Sequence, residues 1–309
     1  MTMEQVVIGT RGSDLALVQA VATETALGMA FPLLQVVREV IRTTGDRRTD
    51  IALKDVAKAE GVLDKGVFTK ELEIALAEGT IDIAVHSLKD VPTVLSPEFM
   101  IAGTLERAPV RDVLVSKKPG GMAALAEGAV VGTSSVRRAK QISWLRPDVK
   151  VIDLRGNVPT RLSKAAGNDY DAILLAEAGL VRLGHDMSRP EVIDGVEMHF
   201  SPLSEDEFLP AAGQGAIGFE IRTGDEEAAE LVKTICHHAT FLRARAEREF
   251  LRLLDGGCHT PVGVFSVLDG GLLKMKARVF PEEGGEPMTG EAEGCEPLEV
   301  AKDLFESLA

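Results

Sequence analysis

The sequence predicts an α/β protein: two similar lobes of strands and helices with a central cleft, followed by a small α+β C-terminal domain. Three observations predict it. Short apolar runs ending in Gly, Ser or Thr alternate with helix-length segments, the pattern of strand–helix units. One such unit recurs, since Val6-Val-Ile-Gly-Thr-Arg-Gly-Ser13 is echoed by Ala129-Val-Val-Gly-Thr-Ser-Ser135. At 309 residues the chain also exceeds what one ordinary core holds.

The elements follow in order. Val6–Thr10 reads as a strand, and Ser13 or Asp14 as the N-cap of a helix from Leu15 to about Leu27, with Leu15, Val18, Ala22 and Thr25 near one face. A second strand runs from Leu34 to Thr43. The polar stretch from Thr44 to Gly66 has the length of a lid or of a disordered loop. Val67–Gly79 is a helix with Phe68, Leu72 and Leu76 on its apolar side. Ile81, Ile83 and Val85 then alternate with Asp82 and Ala84 as a buried strand, stopping at His86-Ser-Leu-Lys-Asp90 before Pro92. Residues 103–112 read as a connector. The second lobe carries strands at 129–132, 150–154 and 170–175, with helices after Ser135 and Thr160 and a segment running on to Arg182. Phe208–Ile221 crosses back to the first lobe. The expected domains are 1–104 with 206–223, then 105–205, then 224–309. The last holds one or two charged helices (Glu226–Leu254), hairpin strands around Asp269-Gly-Gly, an acidic loop and a closing helix from Leu298 to Leu308.

Composition excludes several function classes. The apolar fraction is 45%, the charged fraction 27%, and the net charge of −14 argues against general nucleic-acid binding. No apolar run reaches the ~20 residues of a membrane span, and the N-terminus has no basic and apolar leader pattern. Three widely spaced cysteines suit a reducing cytoplasm rather than a disulfide framework. No CxxC or HxxxH pattern offers a metal site.

Against this acidic background the arginines are informative. Arg11, Arg137, Arg138, Arg155, Arg161 and Arg182 all stand near strand ends or Gly/Ser/Thr turns, where helix N-termini offer free N–H groups to anions. A guanidinium grips a carboxylate through two charge-assisted bonds. With no Walker A or Gly-x-Gly-x-x-Gly fingerprint beside them, a polycarboxylate is the better ligand reading than a nucleotide. Two other residues stay open at this level. Asp90 is either a turn cap or a site carboxylate at a strand end, where open α/β sheets bind ligands. Cys258, in Gly256-Gly-Cys258, is either a small buried hydrophobe or an accessible nucleophile or attachment point. Cys236 reads as helix core.

Taken together these motifs resemble the porphobilinogen deaminase (hydroxymethylbilane synthase) family. The matching pieces are Thr10-Arg-Gly-Ser13, Lys65-Gly-Val-Phe-Thr-Lys-Glu71, Asp82-Ile-Ala-Val-His-Ser-Leu-Lys-Asp-Val-Pro92, Gly132-Thr-Ser-Ser-Val-Arg-Arg138, Leu154-Arg-Gly-Asn-Val-Pro-Thr-Arg-Leu162, Leu209-Pro-Ala-Ala-Gly-Gln-Gly215 and Gly256-Gly-Cys258. They span almost the whole chain in family order. The resemblance implies two periplasmic-binding-protein-like lobes and a third domain. It also implies a dipyrromethane cofactor in thioether linkage to Cys258, and the joining of four porphobilinogens into hydroxymethylbilane with release of ammonia. By position, Arg11, Ser13, Arg137, Arg138, Arg155, Arg161 and Arg182 would hold carboxylates, with Ser134 and Ser135 supporting, and Lys89 would do the same beside Asp90. Phe68 would stack near the cofactor and Lys65 would sit by the lid. Asp90 would be the catalytic carboxylate, stabilising positive charge on the pyrrole nitrogen. A cytoplasmic monomer without nucleic-acid or membrane partners is the family expectation. Two departures stand out: Val62-Leu-Asp-Lys-Gly66 replaces the usual lid motif, leaving Lys54 or Lys58 as the lid lysine, and His259-Thr260 follows the cysteine. A non-catalytic polycarboxylate-binding module of the same fold is the alternative; it explains the arginines but not Cys258.

Overall fold

The computed structural model describes residues 4–47, 68–255, 260–281 and 283–308. Two compact units result, one from Met1–Ala108 and Gly215–Gly257, the other from Pro109–Gln214 and Cys258–Ala309. In chain order the first unit holds β1 (Gln5–Arg11), α1 (Asp14–Ala30), β2 (Gln35–Ile41), the short α2 (Thr44–Arg47), α3 (Lys70–Ala77), β3 (Ile83–Ser87) and β4 (Phe99–Thr104). The second holds β5 (Asp112–Ser116), β6 (Val130–Gly132), α4 (Val136–Leu145), β7 (Lys150–Ile152), α5 (Val158–Ala166), β8 (Ala172–Ala176), α6 (Glu177–Arg182), β9 (Glu191–Ile193) and β10 (Val196–Pro202). The chain returns to the first unit with β11 (Ile217–Arg222), α7 (Glu226–Ile235) and α8 (His238–Leu253). It ends in β12 (Val262–Asp269), β13 (Leu272–Val279), β14 (Met288–Gly294) and α9 (Pro297–Glu306).

The two large sheets share a plan. The first runs β2-β1-β3-β11-β4 and the second β7-β6-β8-β5-β10-β9. In each, a central strand is flanked by two parallel neighbours, and an antiparallel strand follows the third. Both faces of each sheet are covered, because alternate side chains feed different cores. In β5 and β8, Val113, Val115, Ile173 and Leu175 enter one cluster while Leu114 and Leu174 enter the other. The repeated Gly-Thr has a packing cause in both units. A Cβ on Gly9 would lie 2.3 Å from Ile81 Cδ1, and one on Gly132 would lie 2.6 Å from the Tyr170 ring. Each glycine lets the residue that leads into the third strand cross its own strand.

Local chemistry fixes the helix ends. Ser13 and Ser135 cap α1 and α4, Asn157 caps α5 and Asp225 caps α7 through side-chain oxygens. Cys236 terminates α7 rather than lying inside a helix, and His237 Nδ1 caps α8, so the charged stretch 226–253 is two helices. Both pack in the first unit, as α7 supplies Ala228, Leu231 and Val232 to the core around β11.

Other expectations required correction. The buried stripe of α1 is Ala16, Gln19, Ala20, Thr23 and Leu27, one residue out of step with the expected face, and Val18 and Val21 are exposed. Small residues let the helix lie close to β3, so shape outweighs hydrophobicity there. β3 begins at Ile83; Ile81 precedes it and packs with Leu72 and Leu76 of α3 on the opposite face from Ile83. The connector 103–112 contains the end of β4 and the start of β5. The acidic loop contains β14, whose Gly290 and Gly294 face α9 closely enough that a Cβ would strike Ser307 and Val300.

The Gly132 contact gives a stability test. Gly132→Ala should destabilise the protein by about 1–3 kcal/mol through overpacking against the ring, read as a lower urea midpoint. An unchanged midpoint would mean the Tyr170 ring yields without cost.

Candidate functional site

In the first unit the site forms where β1 and β3 end. β1 delivers Arg11, and Ser13 follows as the α1 cap, its Oγ accepting from Ala16 N at 3.4 Å. The Arg11 guanidinium lies 4.2 Å from the centroid of the Phe68 ring, a cation–π contact that joins two of the expected residues. β3 delivers His86 and Ser87, and a 3-10 turn from Leu88 to Asp90 carries Lys89 and Asp90. Arg11, Ser13, Phe68 and Asp90 share one cavity of ≈ 70 Å³. Gln19, Thr69, His86 and Ser87 complete its polar lining.

The turn that presents Asp90 is held from several sides. Leu88 N donates to Ala216 O at 3.0 Å, and Leu88 packs on Gly218, where a Cβ would come within 2.7 Å of it. Arg248 of α8 donates to Val91 O at 3.0 Å and Pro92 O at 2.6 Å. Burial lowers the Arg248 pKa to about 10, while the charge of Glu220 acts in the opposite direction. Asp90 itself is half-buried and makes no side-chain hydrogen bond or ion pair among the described residues. It is therefore not a turn cap. A carboxylate held on a rigid turn, partly out of water and unengaged, is available to a ligand.

In the second unit the expected residues gather around two turns. Ser135 caps α4, and Ser134 Oγ donates to Leu154 O, tying the Thr133–Ser135 turn to the Arg155 turn. Arg161 Nε donates to Gly156 O at 2.7 Å. Arg155 is half-buried, and its Nη1 is buried with no hydrogen-bond partner among the described residues. An orphaned cationic N–H of this kind is what an acetate or propionate would satisfy. Arg182 ends α6, half-buried, with burial lowering its pKa to about 10.

Arg137 and Arg138 depart from expectation. Both are 5% exposed, and both are engaged by Asp112 of β5. Arg137 Nη1 reaches Asp112 Oδ2 at 2.6 Å and Leu209 O at 2.6 Å, while Arg138 Nε reaches Asp112 Oδ1 at 2.9 Å and its Nη1 reaches Leu174 O at 2.9 Å. Gln214 Nε2 adds a bond to Asp112 Oδ1 at 3.2 Å. These guanidiniums fasten α4 to β5 and β8 rather than standing open to ligand; Arg137 Nε alone is left buried without a partner. Asp112 and Gln214 went unnoticed as functional positions because their partners lie far away in sequence. Gln19 left a signal: a glutamine within the buried stripe of α1.

Lys65, Cys258 and His259, and the lid lysine candidates Lys54 and Lys58, lie outside the described residues.

Burial by itself would raise the Asp112 pKa, but the charges and hydrogen bonds of Arg137 and Arg138 overcome it and hold the carboxyl well below the usual carboxylate range. The unfolded chain therefore takes up this proton first as pH falls. The stabilisation is intact above about pH 4, the ordinary aspartate value, and drains away below it. Asp112→Ala should lower unfolding free energy by about 3–5 kcal/mol at neutral pH, because it strands two buried cations. The deficit should narrow in strong acid. Urea melts at both pH values check this; a deficit that does not change with pH would refute it.

Residues 6–230 match the family model described as "Porphobilinogen deaminase, dipyromethane cofactor binding domain", and 241–309 match "Porphobilinogen deaminase, C-terminal domain". The porphobilinogen deaminase of Syntrophomonas wolfei is 42% identical over 309 residues, covering 99% of this chain and 95% of the relative. That of Moorella thermoacetica is 42% identical over 99% of this chain and 93% of the relative. A Roseiflexus sp. porphobilinogen deaminase is 44% identical over 91% and 88%. The strand-end arginines, the unengaged Asp90 and the full-length similarity lead to one conclusion: the chain belongs to the porphobilinogen deaminase family.

Proposed function

We propose that Asp90 is the catalytic group of this chain, and that the arginines at the strand ends hold the acetates and propionates of porphobilinogen and of the oligomer made from it. The enzyme is a transferase, hydroxymethylbilane synthase, that joins porphobilinogens head to tail and releases ammonia, in porphyrin biosynthesis. One observation carries the assignment of Asp90: its carboxylate is half-buried, unengaged among the described residues, and shares a cavity with Arg11 and Phe68.

The residues fit a dipyrromethane cofactor, whose rings carry carboxylates and need cationic N–H donors and an aromatic or guanidinium face. Arg155, with its orphaned Nη1, supplies a donor, as do Arg161 and Arg182. Ser134 and Ser135 shape the turn beside them, and Lys89 lies next to Asp90. Arg137 and Arg138 support the site indirectly, through Asp112. We assign the attachment to Cys258 on the Gly256-Gly-Cys258 family motif, within the segment 241–309 that matches the family's C-terminal domain. The cofactor, when bound, supplies the primer on which the product grows.

The work of the protein itself is electrostatic. Arg11 and Ser13 orient an incoming porphobilinogen by its carboxylates, and Phe68, in contact with the Arg11 guanidinium, offers it an aromatic face; Lys65 is assigned to substrate binding on the family motif alone. As the substrate amine departs, positive charge develops on the pyrrole. Asp90, fixed by the Leu88 and Arg248 contacts, accepts the pyrrole N–H and meets that charge without reorganising. Its position beside the amine also lets it serve the proton transfer that departure needs. Among the described residues no helix is long and apolar enough to cross a membrane. A cytoplasmic protein that does not bind nucleic acid is the reading favoured by the thiol-dependent attachment and the net charge of −14, and a monomer is the family expectation.

Intact-mass measurement of the purified protein should reveal an adduct of two pyrrole units that maps to Cys258 and is missing from Cys258→Ser. An unmodified, inactive chain after incubation with porphobilinogen would sink the proposal. Asp90→Asn should keep the melting temperature but lower turnover by about 10²-fold or more. Near-normal turnover would remove Asp90 from the chemistry.

A further inference from the structure

The cavity beside Asp90 has a second titratable wall that the roles above leave without a task. His86 lines it, and its Nε2 lies 2.9 Å from Glu220 Oε2. The two side chains are 4% and 0% exposed. They meet because β3 and β11 pair antiparallel with Gly218 opposite His86 and Glu220 opposite Ala84. Glu220 is thus the diagonal neighbour of His86 on one face of the sheet, where the missing side chain of Gly218 leaves room for Leu88 instead. Burying a carboxylate and an imidazole together needs a reason, since an apolar pair of the same size would stabilise the sheet as well or better.

The chemistry of joining two pyrroles supplies one. Each addition breaks a C–N bond on one pyrrole's aminomethyl carbon and a C–H bond on the free ring carbon of the other, and makes one C–C bond. The C–N electron pair leaves with nitrogen, which gains a proton and departs as ammonia. The ring's own electrons make the new bond and are restored from the C–H pair, releasing a proton. One proton is consumed and one is released, so the balance closes, but at two different atoms and two different moments. A single carboxylate serving both would have to be protonated at the first and ionised at the second while also facing a cation.

We infer that the His86–Glu220 pair is the second proton-handling group of this site, with His86 taking the proton that leaves the ring carbon and Glu220 orienting the imidazole and balancing the resulting charge. The inference rests on the assigned activity and on Asp90 serving the amine. Glu220 accepts the Nε2–H, which leaves the Nδ1 lone pair as the base, the same division of labour as in other carboxylate–imidazole pairs. Transfer from His86 to Asp90, which lines the same cavity, then resets both groups for the next addition. The charged groups around the pair are consistent with this. Glu73 of α3 faces it, with its pKa raised first by burial and then by the charge of Glu220. Arg248 of α8 is electrostatically coupled to Glu220, and Arg11, Lys89 and Asp90 stand on the cavity side. Three carboxylates (Glu73, Glu220 and Asp90) and three cations (Arg248, Arg11 and Lys89) thus stand around a single imidazole.

Two measurements on the holoenzyme test the inference. In ¹⁵N-histidine NMR spectra, His86 should be the Nε2–H tautomer at mildly alkaline pH and take up its second proton at Nδ1 as the pH falls. An Nδ1–H tautomer, or a ring that does not titrate, would overturn the inference without any recourse to activity. In kinetics, His86→Gln should lower kcat by about 10²-fold with KM for porphobilinogen within about threefold. Porphobilinogen deuterated at its free ring carbon should then show a primary isotope effect on kcat that the wild type lacks. Glu220→Gln, which keeps the shape and an acceptor oxygen, should show the same effect in weaker form, so the test survives if the His86 variant folds poorly. A loss of melting temperature in both variants with kcat unchanged and no isotope effect would reduce the pair to a structural contact. The isotope effect reports on carbon and not on the amine. Its failure is therefore distinguishable from that of Asp90→Asn, whose unaltered turnover would remove Asp90 from the chemistry and with it the relay from His86 to Asp90.

Discussion

A guanidinium removed from water must meet an anion or carbonyl oxygens, and the way each arginine of this chain does so organises the structure. Arg137 and Arg138 meet Asp112 and the carbonyls of Leu209 and Leu174, fully inside the second unit. Arg107 meets Glu247 through two bonds of 2.7 and 2.8 Å, fastening α8 to the segment after β4. Arg248 meets two carbonyls beyond Asp90. These are arginines of the fold. Arg155 differs from them, since its buried Nη1 has no hydrogen-bond partner among the described residues. The distinction between scaffold and site is thus one of what remains unpaired.

The same accounting applies to the acids. Asp112 and Glu247 are fully buried and fully employed, whereas Asp90 stands half-buried on a turn fixed by backbone bonds and Leu88 packing. The return of the chain through β11 makes this possible. β11 supplies the antiparallel partner of β3, the Gly218 gap under Leu88 and the Glu220 partner of His86. A strand contributed from more than a hundred residues later thereby sets the geometry of the segment that carries the chemistry. Arg248 of α8 clamps the backbone beyond Asp90, and in the sequence α8 precedes the Gly256-Gly-Cys258 motif.

What the amino-acid sequence determined by itself is the set of features with local causes. The Gly-Thr strand ends, the capping serines, the strand alternation around Ile83 and Val85, and the Leu72 and Leu76 stripe all follow from backbone sterics and period, and the structure keeps them. The motif residues were equally legible, since spacing alone brings Arg11, Ser13 and the His86–Asp90 run to strand ends. Tertiary structure decided what depends on distant partners. β5 and β14 escaped notice because Asp112-Val-Leu-Val-Ser116 begins with a charge and Met288–Gly294 is rich in glycine and glutamate; pairing and helix packing, not propensity, make them strands. The buried face of α1 turned on how closely alanines approach β3, which no hydrophobicity pattern encodes. Most of all, a sequence displays every arginine and carboxylate as equally charged. Only the fold, by bringing Asp112 to Arg137 and Arg138 and Glu220 to His86 while bringing no partner among the described residues to Asp90, decides which charges are consumed in holding the protein together.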